Sequence, residues 1–244
     1  MNESDYLGFF AAQHQAFADT LAVRRGQADL IDGLLSLAFS SFDGNVEAES
    51  ANHPPIACHK GCATCCTLRV TASAPEVLLV ARFIRWQDQR DPASNLGKRV
   101  IKANQTTVGL DEAARVKLRK TCPFIRRGAC GIYPVRPLAC RGHACYDKRA
   151  CNEAAAGRIA EIPLSYPHRN FRSLIQNALQ SALRDAGYVW DLYELNRAVS
   201  LALQQENSES AWQAGMDPFA EAVVNDIGRE EMARTFDTLK RYQA

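Results

Sequence analysis

The sequence has little net charge and no long hydrophobic run, and each absence excludes a class of protein. Its formal net charge is +2 over 244 residues, too small to argue for nucleic acid or a membrane surface as a partner. The longest apolar runs, such as VLLVARFI at 77–84, are far shorter than the roughly 20 residues of a membrane-spanning helix. No basic segment followed by an apolar run opens the chain. We therefore expect a cytoplasmic protein with no membrane partner.

The sequence also lacks the common motifs of hydrolases and nucleotide-binding enzymes. It contains no G-x-S-x-G, no phosphate-binding Walker loop and no G-x-G-x-x-G. Acidic pairs such as Asp111-Glu112 and Glu230-Glu231 are typical of solvated helix termini. These motifs therefore identify no catalytic residue, and the sequence leaves open whether the protein is an enzyme.

Strand-like alternation is almost absent, whereas apolar residues recur at helical spacing. This pattern predicts helices over 4–24, 27–42, 74–89, 170–186, 189–205 and 228–241, and a polar helix pair over 93–119 broken near Gly109. Ser73 and Glu76 form a capping-box pattern at the start of the third helix. Residues 45–55 are interpreted as a polar linker, QENSES as a loop, and Trp190 and Tyr193 as core aromatics.

One short segment departs from the helical pattern. In CPFIRRGACGIYP, two apolar pieces flank Arg127-Gly128, which predicts a small hairpin. The fold class is therefore mainly α, a helical domain with an irregular cysteine-rich metal-binding core and at most a small β-hairpin. We expect a single domain over 1–244, with N-terminal helices in 1–50, the cysteine core with inserted helices in 52–151, and C-terminal helices in 152–244.

Cysteine is the residue that this sequence has in excess. Nine are present, an odd number that disfavours a disulfide framework, and a reducing cytoplasm keeps thiols available as ligands. Thiolates suit zinc, iron–sulfur clusters and Cu(I), and Cys62-x2-Cys65 has the spacing of a zinc knuckle. Two groups separated along the chain supply eight predicted metal ligands, with Cys151 left outside the pattern. The ligands are Cys58, Cys62, Cys65, Cys66, Cys122, Cys130, Cys140 and Cys145.

Three features bear on how these ligands are used. The side chains of neighbouring Cys65 and Cys66 are expected to diverge, which favours more than one metal. His143, at a C-x2-H spacing, and His59 are alternative ligands. Basic residues outnumber acids over 120–149, which favours the negative charge of about −2 on a four-thiolate zinc centre and lowers thiol pKa values.

Parts of these segments also fit two other interpretations. The arginines beside Phe124 and Tyr133 would suit a nucleic-acid face with stacked bases, but no binding module accompanies them. Cys58-x3-Cys62-x2-Cys65 matches the three-cysteine loop of radical S-adenosylmethionine enzymes. Those enzymes need alternating strands and helices, which this sequence lacks.

The cysteine pattern resembles a known family. CHKGCATCC, RVTASAPE and CPFIRRGACGIYPVRPLACRGHAC are similar to the zinc- or iron-chelating CxxCxxCC domains, also called the YkgJ family, over residues 58–145. The first interval here, His59-Lys60-Gly61, is one residue longer than in the family name. The resemblance implies metal binding; some relatives are flagellin lysine methylases for which an iron–sulfur cluster is implied.

These observations predict a protein that chelates zinc or iron, an iron–sulfur cluster included, through two cysteine groups. The alternative is an iron–sulfur redox enzyme or an S-adenosylmethionine-dependent protein methyltransferase related to flagellin lysine methylase. The expected partner is a metal ion, a protein partner is left open, and nucleic acid is not expected.

Overall fold

A computed structural model describes residues 3–241, and within them the chain is mainly α-helical. Helices take up 61% of it, and the only strands in this part of the chain form two small antiparallel pairs. The helices are α1 Glu3–Val23, α2 Leu30–Ser50, α3 Ala74–Arg90, α4 Leu96–Thr107, α5 Glu112–Leu118, α6 Leu138–Gly142, α7 Lys148–Ala155, α8 Tyr166–Asp185, α9 Leu195–Gln204, α10 Ser208–Gln213 and α11 Arg229–Arg241. The strands are β1 Thr71–Ser73, β2 Ile125–Arg126, β3 Ala129–Cys130 and β4 Leu192–Glu194.

Two helix groups form the body of the molecule. Helices α1 and α2 pack on α8, whereas α3 and α4 pack on α9, and α2 also contacts α3. The apolar stripe of α1 supplies Phe10, Phe17 and Leu21, all with no more than 1% of their surface exposed. Burying side chains of this size stabilises the fold by about 1.5–3 kcal/mol each. The helices therefore provide a packed body on which less regular segments rest.

The local predictions for 93–130 are confirmed. The hairpin pairs Ile125 with Cys130 and Arg126 with Ala129. Its turn residues Arg127 and Gly128 have φ of 51° and 80°, the left-handed conformation that two-residue hairpin turns require. The helix pair breaks after Thr107.

The structure corrects three boundaries. Helix α2 continues to Ser50 instead of giving way to a linker at 45, because Val46 is still buried against the core. The helix predicted from 189 begins only at Leu195, since β4 pairs antiparallel with β1. Within QENSES, α10 begins at Ser208, and its Trp212 is fully buried.

Two aromatic residues and the capping box are as predicted. Trp190 and Tyr193 are buried in the core. Glu76 is buried, and its Oε2 accepts hydrogen bonds of 2.8 Å from both the backbone N–H and the hydroxyl of Ser73. Its Oε1 accepts a third bond, 2.7 Å long, from the backbone N–H of Leu138. One carboxylate therefore joins the start of α3 to the start of α6.

Within residues 3–241, none of the helices has the length and apolar character needed to cross a membrane.

Candidate metal centre

The first cysteine segment is a series of tight turns without regular secondary structure. Backbone bonds run from Cys62 N to His59 O, 2.9 Å, and from Cys66 N to Ala63 O, 3.1 Å. Gly61 lies between the first two cysteines with φ of 88°, a conformation that costs glycine nothing but strains other residues. The segment therefore curls, and its side chains do not alternate as they would in a strand.

Two backbone hydrogen bonds fix this segment to the second cysteine segment. Ala57 N donates to Cys145 O at 2.8 Å, and Cys122 N donates to Cys66 O at 2.6 Å. The first bond joins the start of the first segment to Cys145, the last cysteine of the predicted second group. The second joins the end of the first segment to Cys122, the first cysteine of that group. They hold the two segments side by side.

The second segment presents its cysteines from four different local structures. Cys122 precedes the hairpin, Cys130 ends β3, and Cys140 lies within α6. Cys145 follows α6 and forms an isolated antiparallel bridge with Leu164. Helix α6 is fixed by the bond between Leu138 and Glu76 described above, so this carboxylate also positions Cys140.

The two segments enclose one cavity of about 530 Å³. Seven of the eight predicted ligands line it, and the eighth, Cys145, is buried nearby. None of the nine cysteines forms a disulfide. The cysteines that line the cavity are Cys58, Cys62, Cys65, Cys66, Cys122, Cys130 and Cys140.

The donor set fits a soft or borderline metal, because thiolates prefer zinc and iron over hard cations. The sulfurs surround the cavity without meeting at one point. Within residues 3–241, no three Cys, His, Asp or Glu side chains are placed so that they already form a metal site. Ligation therefore requires side-chain rotation towards the cavity.

Cys65 and Cys66 do not diverge as expected from their adjacency. Both line the cavity, and their side chains lie within hydrogen-bonding reach of one another. Backbone turns at this point account for the difference, since Cys66 N bonds to Ala63 O and Cys65 O accepts from Leu68 N. Adjacent cysteines on a curled backbone can face the same space.

Most of the thiols are held in their protonated form when no metal neutralises them. Burial raises the pKa of Cys122 to about 11. Burial also raises the pKa of Cys140, and the neighbouring Cys122 and Cys130 add to the effect. The pKa of Cys65 is raised first by its hydrogen bond with Cys66 and then by burial. Several thiols in one enclosed space disfavour each other's ionisation, which a cation would reverse.

Cys62 differs from these residues because a lysine faces it. Burial, the largest single effect, would raise its pKa, but the hydrogen bonds from Lys148 and Thr64 and the positive charge of Lys148 together outweigh burial and lower the pKa below the usual range. The Lys148 Nζ lies 3.1 Å from the Cys62 Sγ and also donates to the Thr64 hydroxyl. Lys148 is one of the basic residues over 120–149 expected to lower thiol pKa values, and its contact with Cys62 has this effect.

Arginines supply further positive charge around the cavity. Arg141 is buried and donates from Nε to Arg136 O at 3.0 Å and from Nη2 to Pro134 O at 2.8 Å. It also pairs with Asp43 at 3.1 Å. These bonds hold the loop between the hairpin and α6. Arginine is suited to such a site because its planar donors serve several acceptors at once.

Helix α8 contributes residues that the sequence did not indicate. His168 and Arg172 line the cavity, and His168 bonds through Nδ1 to the Ser165 hydroxyl at 2.8 Å. Burial lowers the pKa of both side chains. Neither residue lies near a cysteine in the sequence, so only the packing of α8 against α6 reveals them.

The two histidines considered as ligands both line the cavity. His143 is partly buried, and its Nε2 has no hydrogen-bond partner. Burial, with Arg172 nearby, lowers the pKa of His143, which favours the neutral ring that a metal ligand requires. His59 is exposed and contacts the carbonyl of Lys60 through Nδ1 at 3.0 Å.

The structure also bears on the two other interpretations. Phe124 is 1% exposed, so it offers no face to a nucleic-acid base, and Arg136 covers the ring of Tyr133 at 3.8 Å. The described strands form two antiparallel pairs, not the alternating strands and helices of a radical S-adenosylmethionine barrel. The burial of Phe124 and the covered ring of Tyr133 do not suit a nucleic-acid face. The two antiparallel strand pairs do not suit a radical S-adenosylmethionine barrel.

A comparison with protein families agrees with the resemblance noted from the sequence. Residues 57–157 match the family model CxxCxxCC, described as "Putative zinc- or iron-chelating domain". The match covers both cysteine segments and the helices between them. The chain matches no curated protein and no solved structure.

Proposed function

We propose that this protein holds zinc or iron as a thiolate complex in the cavity between its two cysteine segments, in a reducing cytoplasm. The observation that supports the proposal is the lining of this cavity, in which seven cysteines lie together and none is in a disulfide. Free thiols gathered in an enclosed space raise one another's pKa and are costly to ionise. A bound cation removes that cost.

One set of four cysteines forms the centre of the proposal. Cys140 interacts electrostatically with Cys65, Cys122 and Cys130, and Cys122 also interacts with Cys130. Four thiolates are the number that a tetrahedral zinc site or one iron–sulfur cluster takes. Cys66 lies next to this set and His143 offers an unpartnered nitrogen, so either is available as a substitute ligand.

A second candidate function is an iron–sulfur redox enzyme or methyltransferase. The observation that favours it is the size of the cavity, about 530 Å³, which lies within the range of roughly 300–1,000 Å³ for small-molecule sites. A single ion held by four sulfurs needs no such space. Arginines and histidines in the lining would suit an anionic group of a cofactor or substrate.

The experiment that tests the proposal is anaerobic purification followed by elemental analysis and an ultraviolet–visible spectrum of one sample. Stoichiometric zinc in a colourless protein supports the zinc site and excludes the iron–sulfur enzyme. A brown protein whose visible absorption bleaches on reduction supports the cluster. A chain without zinc or iron would refute both functions.

Variants connect the metal to the cavity. Cys140→Ser should lose metal, because Cys140 interacts with three of the other sulfurs. Ile31→Val is the matched control, since Ile31 is fully buried in α2 and the substitution costs about 0.5–1.5 kcal/mol away from the cavity. Loss of metal in both variants, or in neither, would argue against the proposed set.

A further inference from the structure

Cys151, which the sequence leaves outside the cysteine pattern, is a residue of helix α7 and lies in a second group of sulfurs at this helix. Its thiol is within hydrogen-bonding reach of the Cys145 thiol and also interacts electrostatically with Cys58. Cys58 interacts in turn with Cys62. This second group consists of Cys58, Cys62, Cys145 and Cys151, and it shares no cysteine with the set around Cys140.

Backbone contacts hold two members of this group, Cys58 and Cys145, together. Cys145 N donates to the Cys58 Sγ at 3.4 Å, and the adjacent Ala57 N donates to Cys145 O. Asp147 N donates to the Cys145 Sγ at 3.3 Å. Two of the sulfurs thus already accept N–H bonds from the backbone.

Helix α7 brings the remaining contacts. Lys148 and Cys151 are three residues apart and therefore lie on the same face of this helix. Lys148 donates to the Cys62 Sγ at 3.1 Å, and its ammonium also interacts with Cys151 and Cys58. One cation therefore lies among three of the sulfurs, where it offsets the net negative charge of a four-thiolate metal centre.

The second group lies only partly on the cavity wall. Cys145 and Cys151 are not part of the cavity wall, whereas Cys58 and Cys62 line it. Cys65 lies between the groups, because it interacts with Cys58 and Cys151 as well as with Cys140. The nine cysteines thus divide into Cys140 with the three cysteines that it interacts with, four grouped at α7, and Cys66.

We propose that Cys151 is a metal ligand that completes a second four-sulfur site with Cys58, Cys62 and Cys145, separate from the site around Cys140. The inference rests on the proposed function and adds a second metal to it. The class of ligand is zinc or another thiophilic divalent ion. As in the cavity, no three of these donors already form a metal site in the described chain, so loading requires rotation of the side chains inward.

The test is zinc per chain in the full-length protein, purified with reductant and measured by elemental analysis. Wild type should hold two equivalents, and Cys151→Ser should hold one. Cys151→His should restore the second equivalent, since imidazole replaces thiolate in zinc sites. Ala150→Ser, which adds a hydroxyl at the adjacent position of the same helix, is the matched control and should keep both.

A second measurement needs no substitution. Cys151 is only partly buried, so N-ethylmaleimide should label it in the metal-free chain. In the zinc-loaded chain, mass spectrometry should find Cys151 protected together with Cys58, Cys62 and Cys145. Equal labelling of Cys151 with and without zinc would overturn the proposal even if a variant failed to fold.

The outcomes separate this inference from the proposed function. A wild-type chain with no metal refutes the proposed function. One equivalent in wild type, or two equivalents retained in Cys151→Ser, refutes the second site and leaves metal binding in place. Loss of both equivalents in a folded Cys151→Ser chain also refutes it, because the two sites would not be separate.

Discussion

Replacement of Glu76 by alanine should destabilise the protein far more than loss of an ordinary helix cap. The carboxylate is 1% exposed and accepts three hydrogen bonds, two from Ser73 and one from the backbone of Leu138. Hydrogen bonds to a charged group contribute about 1.5–3 kcal/mol each, and a buried donor left without a partner costs about 1–3 kcal/mol.

The expected loss is about 3–5 kcal/mol for Glu76→Ala. It lies below the sum of the three bonds, because removing the carboxylate also relieves the cost of burying a charge. An isolated N-terminal cap contributes only about 1 kcal/mol, so the bond to Leu138 makes the difference. Glu76→Gln keeps one acceptor oxygen and should lose about half as much.

Urea unfolding followed by far-ultraviolet circular dichroism measures this loss, with the free energy taken from linear extrapolation. The control is Glu231→Ala, since Glu231 is an exposed acidic residue in the first turn of α11. It should change stability by less than about 1 kcal/mol. Metal content should fall only in the Glu76 variants, because α6 carries Cys140. A loss in Glu76→Ala no larger than in the control would refute the reasoning.

Three further predictions concern packing, thiol ionisation and the metal. Gly142→Ala should destabilise the protein by about 1–3 kcal/mol, because the new Cβ would lie 2.4 Å from the Cβ of Arg172. Gly44→Ala is the control: it lies in open space within α2 and should stabilise the protein by up to about 1 kcal/mol. Thermal melts of both variants measure the two effects. In the metal-free chain, Lys148→Met should raise the pKa of Cys62 and shift its iodoacetamide alkylation profile to higher pH, and an unchanged profile would contradict the contact. Because the Cys62 pKa is lowered in the folded chain, its contribution to stability is present above the unfolded-state pKa and is lost as pH falls through the folded-state value. Removal of metal by a chelator under reducing conditions should lower the Tm, since metal binding is coupled to folding; a Tm that survives complete removal would show that the metal is not structural.

Features set by neighbouring residues were predictable from the sequence. The capping box of Ser73 and Glu76 depends on hydrogen bonds across three residues, and the hairpin turn depends on the conformations open to Arg127-Gly128. The helical period of the apolar residues decided the mainly α fold class. In each case the controlling interaction spans a few residues, so the local pattern contains it.

Only the tertiary structure decided which distant residues meet. The pairing of β1 with β4, the entry of His168 and Arg172 into the cavity wall, and the position of Cys151 beside Cys145 all join elements far apart in the chain. The sequence identified which side chains are chemically able to bind a metal. Packing of α6 against α8, and of α7 over the first cysteine segment, determined how those side chains are grouped, because such contacts depend on the whole core and leave no periodic signal in the sequence.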